Sequence, residues 1–158
     1  MGTQEKTMGG DMNIFILDHD PLISATYHAD KHCGKMILES AQMLSTVLGG
    51  PYKPTHANHP CTLWVAKSQQ NARWLWTLAM GLNDEWRTRY GHDRAHKSWE
   101  AIEPIWKKTF KLPDEGLTPF ALAMPDEYKT EDPVESYRAY YRSKTFVKWE
   151  RGPTPDWY

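Results

Sequence analysis

The chain has 158 residues, 40% hydrophobic and 25% charged. A chain of this length typically buries ~70% of its unfolded surface, so it needs no disulfide or metal to fold. Nineteen Lys and Arg against twenty Asp and Glu give a net charge of −1, which argues against a general nucleic-acid binder with a basic excess but leaves room for a local basic patch. Cys33 and Cys61 stand far apart and match no metal or redox spacing. No run has the length and apolarity of a membrane span, and no signal peptide opens the chain, so a reducing cytoplasm is expected. Eight Trp and eight Tyr are unusual for so short a chain. Much of that content must be core, but it also suits a surface that stacks flat partners.

Residues 1–11, MGTQEKTMGGD, read as a flexible leader ahead of a single helical domain over residues 12–158, with Met12 as the natural start. The apolar run 13–17 is a buried strand or an extended plug. Asp20 and Pro21 then mark the start of a long helix over residues 21–48, roughly 40 Å at 1.5 Å per residue, which Gly49 and Gly50 stop. The rigid polar loop 51–60 follows. A second long helix is predicted over residues 62–90, ended by Gly91, and a third over residues 93–110, split or kinked by Pro104. Residues 112–129 are punctuated by proline and predict loop with one short helical turn. Asp132 caps a last helix over residues 133–149. The fold class is all-α: a compact bundle of about four to five helices with a short N-terminal extended segment and a Pro-rich loop.

The first long helix carries two stripes. One is apolar: Cys33, Met36, Ile37, Ala41, Met43, Leu44, Val47 and Leu48. The other is His28, His32, Lys35, Glu39 and Gln42, spaced four, three, four and three along one side. Solvated faces scatter charge over a wide arc. A narrow line of imidazole, amine, carboxylate and amide is what a cleft wall would present, with Asp30 and Lys31 just beside it. In such a cleft Glu39 acts as a general base or stabilises a sugar cation, and a desolvated Lys31 or Lys35 serves as an amine nucleophile. On a plain surface the same residues are only a solvated, weakly paired helix face.

The pairs His28/His32 and His92/His96, each spaced i, i+4, fit either a metal needing a third ligand or ordinary hydrogen-bonded histidines. The loop containing Thr55, His56, Asn58 and His59 either meets a phosphate or base edge or caps the next helix. The segment with Tyr137, Arg138, Tyr140, Tyr141, Arg142, Lys144, Lys148 and Arg151 is locally basic and aromatic. It stacks bases and holds phosphates, or it packs its tyrosines inward.

The blocks DHDPLISATYHADKHCGKMILESAQMLS, PTHANHPCTLW, NDEWRTRYG, TPFALAMPDEYK and DPVESYRAYY together resemble a family of small uncharacterised proteins common in tailed phages. More distantly, the chain is similar to the phage pyrimidine-dimer DNA glycosylase (endonuclease V) family. That family is all-α, opens with a short apolar run and a helix bearing a catalytic carboxylate, and ends in an aromatic-basic segment that touches DNA. The resemblance implies a DNA-base N-glycosylase with lyase activity in the host cytoplasm, with Asp30 or Glu39 as the catalytic carboxylate. In that family the nucleophile is the α-amine of a Thr exposed by Met removal. Here Asn13 follows Met12 and eleven residues precede it, so Lys35 or Lys31 would supply the amine. The expected substrate is DNA or a nucleotide. His28, His32, Gln42, His56, Asn58, His59, Arg89, Tyr141 and Arg142 are the expected contacts, and neither cofactor nor metal is required. Two alternatives belong to other classes: a non-catalytic phage accessory protein that binds a host or phage partner, and a metal-dependent hydrolase built on the paired histidines.

Overall fold

Side chains that accept backbone N–H groups, and glycines that adopt left-handed backbone, set the helix boundaries. In the computed structural model, which describes residues 12–158, six α-helices follow in order. They are α1 (Pro21–Tyr27), α2 (Asp30–Leu48), α3 (Pro60–Lys67), α4 (Gln69–Tyr90), α5 (Lys97–Ile102) and α6 (Pro133–Arg142). The Asp20 carboxylate accepts from the amides of Leu22 and Ile23 to open α1. Gly49 (φ 74°) closes α2 and Gly91 (φ 68°) closes α4. A 3-10 segment, Glu103–Lys111, continues from α5, and the Pro-punctuated stretch holds one 3-10 turn, Asp126–Tyr128. The described residues contain no strand, so the all-α class holds. The leader, residues 1–11, lies outside the described residues.

Both long predicted helices are divided, for different reasons. The first breaks at His28 and Ala29, whose backbones are extended (ψ 142° and 155°). The groups released by the break are bonded from far along the chain. Arg89 Nη1 donates to the His28 carbonyl at 2.6 Å and Nη2 to the Thr26 carbonyl at 2.9 Å. The Ala29 amide donates to the Tyr141 hydroxyl and the Asp30 amide to the Lys148 carbonyl. The second breaks at Ser68, whose hydroxyl accepts from the Asn71 amide as a local N-cap. The third prediction, over residues 93–110, keeps α geometry only in α5. Pro104 opens the 3-10 segment, as a ring that cannot donate into an α ladder would. The last helix stops at Arg142. The chain then folds back over the start of α2, where the amides of Glu150 and Arg151 donate to Asp30 Oδ2 at 2.7 and 3.0 Å.

The core forms where α4 packs along α1 and α2. Gly81 permits that approach, because a Cβ there would sit 2.8 Å from the Ala25 side chain. The predicted apolar stripe of α2 is buried, with Val47 partly so. The run 12–17 is also buried, and it is a plug, not a strand. Its backbone is held by side chains: the Leu17 amide donates to Ser24 Oγ, Ser24 Oγ donates to the Phe15 carbonyl, and Arg138 Nε donates to the Leu17 carbonyl.

Arg89 is the tie at the break. Its guanidinium also pairs with Asp30 Oδ1 (3.2 Å) and Glu85 Oε1 (3.0 Å), and its side chain is 2% exposed. Arg89→Ala removes the donor from Asp30 Oδ1, from the buried His28 carbonyl and from the partly buried Thr26 carbonyl, while Asp30 Oδ2 keeps the amides of Glu150 and Arg151. We expect a loss of about 3–5 kcal/mol in urea or thermal unfolding. A loss below about 1 kcal/mol would mean the break holds without this residue.

Candidate functional site

The polar line that runs into α2 is buried at His28, His32 and Glu39, half-buried at Gln42 and exposed at Lys35. His28 lies just before the helix and is fully buried. Its Nδ1 donates to the Ser24 carbonyl at 2.7 Å, which leaves Nε2 as a bare acceptor with no partner among the described residues. Burial drives its pKa down to about 4, against the raising effect of the Ser24 bond. One turn on, His32 Nδ1 is 2.7 Å from the Tyr141 hydroxyl. That hydroxyl also accepts the Ala29 N–H, so it ties the His32 ring to the helix break. Burial, then the cost of a second proton beside His28 and the charges of Lys35 and Lys144, hold His32 well below its ordinary pKa. Phe15 stacks on the His32 ring at 5.0 Å.

Glu39 is 7% exposed, and its Oε1 accepts the backbone N–H of Asn13 at 2.9 Å. Asn13 is itself fixed. Its Oδ1 accepts from the Tyr137 hydroxyl and its Nδ2 donates to the Ala123 carbonyl. The plug, α2 and α6 therefore meet around this carboxylate. Lys35 is exposed and Gln42 half-buried, so the line runs from a sealed end at His28 to an accessible middle.

The loop 51–60 reaches the same side of α2. The Thr55 amide and carbonyl bond Thr46 Oγ1, and Cys61 Sγ lies 3.8 Å from Asn13 Oδ1. Within the loop, the His59 ring accepts the Cys61 amide and caps α3. His56 adopts φ 50° with Nδ1 bonded to Thr55 Oγ1, and Asn58 is exposed. Burial pushes the Cys61 and Cys33 thiols up to about 12, so neither is a ready nucleophile.

Asp30, Arg89 and Tyr141 turn out to brace the helix break. Both Asp30 oxygens are engaged, by Arg89 and by the returning tail; every arm of Arg89 is bonded, and Tyr141 is fully buried. Arg142 holds the tail, donating to the Trp157 carbonyl at 2.8 Å. The C-terminal aromatics mostly pack inward. Tyr137 and Tyr141 are fully buried, and Trp149 Nε1 donates to the Tyr27 carbonyl.

What faces outward beside them is an open groove of about 540 Å³, lined by Lys31, Tyr90, Phe146, Lys148 and Arg151 together with Asp30, Thr145 and Glu150. Phe146 is 59% exposed, and the Arg151 guanidinium stacks over Tyr90 at 4.5 Å.

Lys144 is a residue that sequence spacing singles out only as part of a basic segment. It is half-buried, and its Nζ lies 4.2, 5.4 and 5.6 Å from the ring centres of Tyr140, Phe146 and Phe15. Burial, and then the charge of Lys35, lower its pKa.

The histidine pairs cap and pack instead of gathering a metal. His92 stacks on Trp86 at 3.9 Å, and the His96 ring accepts the Ser98 amide to cap α5. Among the described residues no three His, Cys, Asp or Glu side chains cluster to hold a metal ion, and no helix is long and apolar enough to cross a membrane. The chain matches no protein-family model, no curated protein and no solved structure, so its chemistry rests on the site itself.

His28 and His32 are neutral in the fold but protonate near pH 6.5 once unfolded. Both folded pKa values are depressed, so the stability left intact above pH 6.5 is lost as pH falls below it, for His28 down to about 4. His28 alone is expected to cost about 2 kcal/mol at pH 5. Urea titrations of wild type and His28→Gln at pH 7.5 and 5.0 check this. Equal losses on acidification in both proteins would show that His28 does not titrate on unfolding.

Proposed function

We propose that the protein is a nucleic-acid-directed enzyme, a DNA-base N-glycosylase with lyase activity. The observation that carries this reading is the placing of one sheltered carboxylate, Glu39, on the same helix line as Lys35, with Lys144 close enough to feel the Lys35 charge. Base excision needs this pair of groups. As the N-glycosidic bond stretches, the sugar gains cationic character at C1′, and a carboxylate in a poorly hydrated site stabilises it without having to reorganise. An amine then captures C1′ and opens the sugar.

The groove supports the choice of polymer. Lys31, Lys148 and Arg151 supply cations for phosphates, while Tyr90 and the exposed Phe146 offer ring faces. The Asp30 charge in its wall is already balanced by Arg89. A net charge of −1 leaves room for a local patch, here Lys31, Lys148 and Arg151 against Asp30 and Glu150 in one groove. The target base has to leave its stack to reach Glu39.

Base release from ultraviolet-irradiated, deaminated and hypermodified DNA tests the reaction. Glu39→Gln should lower release at least 100-fold, roughly the scale of losing one electrostatic stabiliser, while leaving DNA binding intact. No release from any of these substrates by the wild-type protein would sink the glycosylase assignment.

Binding tests the groove separately. Each of Lys31→Ala, Lys148→Ala and Arg151→Ala should reduce the salt slope of DNA affinity by about one. Phe146→Ala should weaken single-strand binding by about 1–3 kcal/mol. Slopes unchanged in all three variants would place the DNA elsewhere.

A further inference from the structure

We propose that Lys144 is the amine nucleophile of this site, forming a Schiff base with the C1′ aldehyde of a deoxyribose that has lost its base. The inference rests on the glycosylase and lyase reading above and narrows it to one amine.

Ring contacts set Lys144 apart from Lys129 and Lys108. Its Nζ sits among three aromatic rings, Tyr140, Phe146 and Phe15, and no carboxylate among the described residues pairs with it. Lys129, by contrast, lies 3.0 Å from Asp126, and Lys108 donates to the Gly49 carbonyl.

An ammonium cannot attack a carbon; the amine must first lose its proton. Partial burial and the Lys35 charge both favour that loss. Ring faces attract a cation and oppose it. They replace only part of the hydration removed, and the balance lies toward a lowered pKa. Phe146 lines the groove and also borders Lys144 Nζ, so a strand lying in the groove brings its sugar to this amine. Lys35 is then the flanking cation.

The chemistry needs no external oxidant. The Nζ lone pair forms the bond to C1′. The aldehyde oxygen departs as water, taking one proton from the amine and one from solvent, and a protonated imine remains. The imine draws electrons from C2′. The C2′ proton passes to water, and the 3′-phosphate leaves with the C3′–O electrons, cutting the strand. Water hydrolyses the imine and restores Lys144.

The full chain is incubated with an oligonucleotide carrying one abasic site in the presence of borohydride, and the adduct is located by peptide mass spectrometry. A parallel reaction uses pyridoxal phosphate as a small aldehyde. Lys144→Arg keeps the charge and the ring contacts but forms no Schiff base; its thermal unfolding and its affinity for a tetrahydrofuran abasic analogue report folding and binding. We expect the adduct on Lys144, and at least a 100-fold drop in trapping in Lys144→Arg with analogue affinity unchanged. An adduct on another amine, or undiminished trapping in Lys144→Arg, overturns the assignment of Lys144 and leaves the enzyme reading standing. Selective pyridoxal labelling of Lys144 without any DNA adduct keeps the reactive amine and overturns the nucleic-acid substrate. Absence of both overturns both.

Discussion

The structure depends on the buried guanidinium of Arg89. A helix continuing through residues 21–48 would satisfy its own backbone. Breaking it at His28 and Ala29 frees carbonyls and amides in the protein interior, where an unpaired polar group costs about 1–3 kcal/mol. Arg89 donates to two of those carbonyls and to the Asp30 carboxylate, which in turn holds the amides of Glu150 and Arg151. One side chain on α4 thereby couples the turn between α1 and α2 to the C-terminal tail. The same tail is also held by the Asp30 amide on the Lys148 carbonyl and by Trp149 Nε1 on the Tyr27 carbonyl, and the groove lies beside it.

The break also decides the chemistry of the histidines. At the end of α1 the His28 ring turns back to its own Ser24 carbonyl, and His32 meets Tyr141, which has reached Ala29. Both rings are neutral and enclosed. Both are held by hydrogen bonds and packed against Phe15. The charges of Lys35 and Lys144 disfavour a proton on His32, and that of Lys35 disfavours the charge on Lys144.

The helical frame was legible in the chain. Asp20, Pro21, Gly49, Gly91 and Asp132 mark boundaries through local chemistry, and Pro104 marks the passage to 3-10 geometry. The break at His28 was not legible. Its support comes from Arg89, Tyr141 and Lys148, and no local propensity reports a bond to a residue that distant. Ser68 was a missed local signal, a serine whose hydroxyl meets an amide three residues on. The burial of Glu39 followed from its place on the polar line, but its partner, the backbone of Asn13, followed from nothing in the spacing. Lys144 was obscured because its setting joins the plug, the end of α6 and the tail, three segments that meet only in the fold.

The aromatic richness of the chain acquires a division of labour. Tyr137 and Tyr141 use their hydroxyls inside the protein, one fixing Asn13 beside Glu39 and the other fixing the helix break. Phe15, Tyr140 and Phe146 use their faces, holding Lys144 away from water without supplying a carboxylate to neutralise it. A lysine serving only as a solubilising charge would gain nothing from such enclosure, since burial removes hydration that rings only partly replace. The enclosure therefore sets this amine apart from an ordinary surface lysine, and it is the ground on which the proposed covalent role of Lys144 rests.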